Sequence, residues 1–272
     1  MEDVKGDNWA AKAAGGLLKG TGVLWFLTAA AGQIAFVYYI VVYYGSRTAS
    51  GNFAAWNDRP IITGYVAGDG VGNFMFAAHV LLAAVITFGG LLQLTPQIRN
   101  RARSFHRWNG RLFLIIAYFM AAGGIWLVWG RGSRLSDITA ISGTMNGVLI
   151  LLFASLAWAY AARRRIDIHR QWAMRTFMVV NGVWFFRVGV MAWIILNQGP
   201  VGMNNTLSGP ADVAISFGSY LIPLAVLEIY FAAARAHGAG PKLAASVLVL
   251  IMTGVMAVGI FGLITLMWGP YL

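Results

Sequence analysis

Residues 72–94 read GNFMFAAHVLLAAVITFGGLLQL, a run without one charged side chain and with a single histidine, His79. A helix of about 20 apolar residues, rising 1.5 Å per residue, crosses the roughly 30 Å of a bilayer's hydrocarbon. This run meets that requirement. Working outward from it, apolar runs of similar length recur at about 21–44, 110–130, 138–160, 175–197, 212–235 and 243–267, with this one at about 73–95. The sequence therefore predicts an all-α integral membrane protein with about seven transmembrane helices, one leading helix plus three hairpins. Residues 21–272 form a single transmembrane domain, preceded by a cytoplasmic amino-terminal segment at 1–20.

Composition agrees. Of the 272 residues, 59% are hydrophobic and 11% charged, and the mean hydropathy is +0.68. Soluble domains carry about 25% charged residues. The net charge of +11 would suggest nucleic acid in a soluble protein, but the basic residues sit between apolar runs, so no nucleic-acid partner is expected. The absence of cysteine excludes disulfides, thiolate metal sites and cysteine nucleophiles. Glu2, Asp3 and Asp7 dilute the positive charge a cleaved signal needs, and the apolar run from about Val23 to Tyr44 is longer than a signal core. The segment before it, with Trp9, Lys12, Leu17, Leu18 and Lys19, reads either as an interfacial amphipathic helix or as a solvated tail.

Orientation follows from Lys and Arg in alternate connections. One side of a seven-span bundle holds 15 of them and the other holds 4, namely Arg47, Arg59, Arg131 and Arg134, while Arg187 falls inside the fifth span. The basic excess marks the cytoplasmic side. The amino terminus is then inside and the carboxyl terminus outside. Tyr43, Tyr44, Trp126, Trp129, Trp193, Tyr230 and Trp268 lie near span ends, where amphipathic rings favour the headgroup layer. The extracytoplasmic connection at about 45–72 is rich in Gly, Asn and Asp and reads as a cap packed by Phe53, Trp56 and Tyr65.

Two cytoplasmic turns resemble each other. QIRNRARSFHRWNGR joins spans two and three, and RRRIDIHRQWAMR joins spans four and five. His106 with Arg107 and Arg111, and His169 with Arg170 and Arg175, stand at equivalent points of what reads as a duplicated hairpin; RAHGAGPK around His237 is a weaker echo. These turns, with residues 72–94, RSFHRWNGRLF and IHRQWAMRTFMVV, resemble the bacterial membrane proteins grouped as domain of unknown function 2306, over about residues 56–190. The resemblance implies a multi-pass protein of a bacterial inner membrane. It implies His79, Gln93, His106, Arg107, Gly110, His169, Trp172, Arg175 and Arg187 as signature positions, and no established reaction.

The polar residues each carry two readings. His106 and His169, on separate helices, suit bis-imidazole ligation of a haem iron, with Arg107, Arg111, Arg170 and Arg175 for its propionates; a quinone suits the same groups. Alternatively, the His-Arg turns anchor helices to anionic lipid headgroups. A bare divalent cation is disfavoured by the surrounding arginines. His79 lies on one face with Ala83, Ile86, Gly90 and Gln93, as a helix contact or a binding group. Arg187 needs a partner inside its span: Glu228, the one acid well inside a span, or carbonyls, Asn146 or Asn181, or an anionic ligand. His79, Gln93, Arg187 and Glu228 thus make a second polar site. His79 cannot share an iron with His106 or His169, because sixteen residues to Thr95 place it roughly 24 Å from the inner end of its helix.

Phosphate-binding glycine loops, serine-hydrolase elbows and zinc-protease motifs are absent, and no catalytic residue is assigned. The leading functional expectation is a redox protein with b-type haem or quinone near the cytoplasmic face. A transporter or channel for a small anionic or lipid-like solute, along His79, Gln93 and Arg187, is the second, and a structural or accessory subunit the third. The expected partners are the bilayer, anionic headgroups at the cytoplasmic loops, and another membrane protein or further copies of the chain.

Overall fold

A computed structural model describes residues 2–58 and 63–272, and of residues 2–8 only the backbone; Arg59 lies outside the described residues. No strand occurs among them. The first helix, α1 (Glu2–Tyr39), passes residue 20 without a break, so the amino-terminal segment belongs to the same rod as the first span. It is not a free tail. Leu18 is buried against Ala233, Ala245 and Tyr230, and the Lys242 ammonium donates to the Ala11 carbonyl at 3.5 Å.

The helix then widens into a π-helical turn, Ile40–Gly45, and ends in the short α2 (Ser46–Ala49). After the connection come α3 (Gly70–Leu94), α4 (Pro96–Arg101), α5 (Arg103–Trp129) and α6 (Asp137–Ala162). The chain continues through α7 (Ile166–Val180), α8 (Gly182–Leu196), α9 (Pro210–Arg235) and α10 (Ala239–Gly262), which ends in a second π-helical turn, Leu263–Trp268. The starts are specified locally. Asp69 and Ser136 accept hydrogen bonds from the backbone N–H groups of Gly72 and Thr139, and Pro96 and Pro210 occupy first-turn positions that need no donor.

Among the described residues six helices are long and apolar enough to cross a membrane, and α7 with α8 adds a seventh crossing if that bent pair is one span. The two halves of the pair meet at 52°. The straight rod of 175–197 expected from hydropathy is thus replaced by two helices that meet at a sharp bend. The bend falls at Asn181-Gly182, a dipeptide that disfavours helix continuation.

Lipid is as apolar as a leucine side chain, so packing rather than hydrophobic exclusion holds such helices together, and small residues let backbones approach. Ala29, Ala154 and Ala157 accordingly sit fully inside the bundle. One core gathers α1, α8 and α10 around Phe36, Trp184, Met256 and Leu263, and a second gathers α3, α5, α6 and α9 around Ile86, Phe113, Phe153 and Tyr220. Where the two π-helical turns come together, Trp268 stacks on Phe36 at 5.5 Å and on Tyr39 at 5.4 Å, and Tyr39 stacks on Tyr43. Tyr43 and Trp268 are therefore buried in a helix seam. A π turn carries one extra residue, and that shifts the aromatic side chains inward.

The described residues of the connection after α2 pack against the start of α3 and the end of α5. Trp56 is buried between Phe53 and Phe76, with Tyr65 and Leu127 beside it. Arg131 clamps it: its guanidinium meets Asp69 at 2.8 Å, Asn73 Oδ1 at 2.8 Å and the Gly64 carbonyl at 3.1 Å. The Gly72 N–H and the Arg131 guanidinium together hold the Asp69 carboxyl below its ordinary range.

Candidate functional site

His106 and His169 are each the fourth residue of their helices, α5 and α7, so the two turns place them alike. Arg99 and His169 both lie near enough to His106 to act on it electrostatically. The His169 Nδ1 is 2.8 Å from the Ala157 carbonyl of α6. A carbonyl only accepts, so Nδ1 carries a proton, and in the neutral imidazole the lone pair is then on Nε2. The His106 Nδ1 is buried and has no hydrogen-bond partner. Gln93, from the end of α3, donates to the His106 carbonyl at 3.0 Å, and Asn109 donates to the Gly89 carbonyl at 2.8 Å. Those two bonds fix α5 against α3 at the histidine.

The arginines divide. Arg107 reaches Ser104 Oγ at 3.4 Å, Arg111 lies over the exposed Trp108 ring, and Arg170 is exposed; all three remain at the surface of this end. Arg175 does not. It makes a two-pronged ion pair with Glu228 of α9, at 2.6 and 2.9 Å, between the rings of Trp172 and Phe231. Its guanidinium is committed to a carboxylate, which removes it from the group expected to meet cofactor propionates.

The second polar group is redrawn by the same contacts. Gln93 belongs with His106, and Glu228 pairs with Arg175 rather than Arg187, so only His79 and Arg187 of that group come together. The Arg187 guanidinium donates to the Val183 carbonyl at 3.0 Å and sits 5.7 Å from the centre of the Phe36 ring, within charge range of His79. His79 packs against α5 at Gly124, where a methyl group would approach the imidazole to 3.2 Å. Its Nδ1 is buried without a hydrogen-bond partner.

A third cluster lies at the break between α7 and α8, where sequence reading offered Asn146 and Asn181 only as partners for Arg187. The Asn181 side chain donates to the Phe177 carbonyl and accepts from Gln33 of α1 at 3.1 Å. Asn146 of α6 comes against Gly182, where a Cβ would lie 2.7 Å from the Asn146 amide. An Asn-Gly pair in the middle of an apolar run was the available signal. Among the described residues no three His, Asp or Glu side chains stand together as a metal site.

A family model described as a predicted membrane protein (DUF2306) matches residues 76–231. That is more than half of the chain, and the chain belongs to this family. No curated protein and no solved structure matches it. The matched region contains both His-Arg turns, His79, the helix break and Glu228, and leaves Gln33 and His237 outside it.

Proposed function

We propose that this member of the DUF2306 family is an electron-transfer protein of a bacterial inner membrane, with a b-type haem or a quinone held by His106 and His169 at its arginine-rich end. That end faces the cytoplasm, on the strength of the 15 to 4 distribution of basic residues. The observation that carries the reading is the His169 hydrogen bond to Ala157. In the neutral ring it leaves Nε2 as a lone-pair donor in the manner of an imidazole oriented by a second partner, while the His106 Nδ1 is buried without a hydrogen-bond partner.

His106 and His169 would hold either group, which would supply one-electron chemistry at this end of the bundle. Arg99, Arg107, Arg111 and Arg170 give this end a positive potential that favours propionates or an electron-accepting ring. The chain's own contribution is to orient the imidazoles, through Ala157 for His169 and through Gln93 for the backbone at His106.

The test compares the purified protein with its His106→Ala, His169→Ala and His79→Ala variants, reading absorption for haem and solvent extracts for quinone. Loss of the cofactor in the first two with retention in the third is the expected result. Equal cofactor content in all four proteins rejects the assignment to this pair.

A further inference from the structure

We infer that the break between α7 and α8 is a second site, independent of the histidine pair, which binds water deep inside the membrane. Three buried side chains from three helices converge on it. Gln33 of α1 is 0% exposed, Asn146 of α6 is 6% exposed and Trp184 of α8 is 2% exposed. Each carries a buried polar atom without a hydrogen-bond partner: Gln33 Oε1, Asn146 Oδ1 and Trp184 Nε1.

The orientation of the Gln33 amide is fixed by a chain of bonds. The Phe177 carbonyl accepts only, so it must face the Asn181 amide nitrogen, at 2.8 Å; Asn181 Oδ1 then faces the Gln33 nitrogen, at 3.1 Å. Gln33 Oε1 is left as an acceptor that needs a donor. Trp184 Nε1, which only donates, needs an acceptor one turn further along α8. Close packing sets these side chains beside the break and beside one another's neighbours. Gly182 admits the Asn146 amide, and a Cβ at Gly32, next to Gln33, would stand 2.8 Å from the Trp184 ring.

The chemistry of the occupant follows from these demands. Two amide oxygens disfavour an anion, and the Arg187 guanidinium, six residues beyond Asn181 or roughly 9 Å along α8, disfavours a cation. Glu228, the carboxylate that lies well inside a span, is held by Arg175. What remains is a neutral molecule that both donates and accepts, in a place too tightly packed for a large one. Water fits, since a buried water needs little volume and two to four polar partners. The site continues toward His79: Arg187 lies over Phe36, one turn beyond Gln33, and His79 Nδ1 is a fourth buried group in need of a partner. Irregular backbone inside a membrane is tolerated where it is buried in protein or meets water.

Nuclear magnetic resonance on the full-length protein in lipid nanodiscs, with 15N-labelled tryptophan, tests this directly. Trp184→Phe assigns the indole signal, and Asn146→Leu perturbs it as an independent assignment. The expected result is a magnetisation-transfer peak between the Trp184 indole N–H and water that is lost in Asn146→Leu, with a melting temperature for that variant no higher than wild type. A Trp184 indole without contact to water overturns the proposal. So does a higher-melting Asn146→Leu protein, because it identifies a dry acceptor whose removal relieves a cost.

Discussion

Glu228→Gln replaces the carboxylate that grips Arg175 with a neutral amide of the same shape. The pair is two-pronged, at 2.6 and 2.9 Å, with the arginine side chain 17% exposed and the glutamate 44% exposed. Exposed pairs contribute about 0.2–1 kcal/mol, and breaking a fully buried pair costs about 3–5 kcal/mol. Intermediate burial places this substitution at about 2 kcal/mol, or about thirtyfold in the folded-to-unfolded ratio. Arg175→Gln should cost a similar amount, and the double variant clearly less than the sum, because neither charge is then left alone. Arg187→Ala combined with Glu228→Gln should instead be additive. Thermal or denaturant unfolding in detergent of the four-protein cycles measures both couplings. A coupling between Arg187 and Glu228 in place of one between Arg175 and Glu228 would refute the assignment of partners.

The clamp over the cap gives a pH prediction. The folded-state value for Asp69 lies below the ordinary 3.8, so its stabilisation is complete above 3.8 and is lost as pH falls through the lowered folded value; Asp69→Asn should abolish that pH dependence in unfolding curves. At the helix break, Gly182→Leu drives a side chain into the Asn146 amide and should cost about 1–3 kcal/mol, partly recovered by adding Asn146→Ala, as read by melting temperature. For topology, reporter fusions at Lys5 and Leu272 should score on opposite sides of the membrane; scoring on the same side removes the seventh crossing.

The membrane class was legible because lipid imposes one blunt rule, a long apolar run for each crossing, and hydropathy reads that rule directly. What each polar residue meets was not. Spacing along a helix gives depth and face, whereas partners depend on which helices are neighbours. The Arg175 and Glu228 pair illustrates the loss. Hydropathy starts the fifth span at about 175 and so assigns Arg175 to the turn, but α7 begins at Ile166 and raises Arg175 roughly 14 Å above its start. Glu228, seven residues before Arg235, lies roughly 10 Å from the corresponding end of α9, a similar depth. The repeat of the two His-Arg turns, by contrast, was visible in sequence because equivalent local patterns give equivalent helix starts. Gln33 gave no such signal, since one glutamine in an apolar run reads as incidental until Asn181 is seen opposite it.

Whether the imidazole pair of His106 and His169 holds a redox cofactor is tested most directly on the wild-type protein purified in mild detergent. Its absorption is recorded before and after dithionite, and its solvent extract is assayed for quinone. A Soret band with a reduced α-band, or a quinone present in near-equal ratio to protein, is the predicted result. A colourless, quinone-free protein from membranes that contain both cofactors would contradict it.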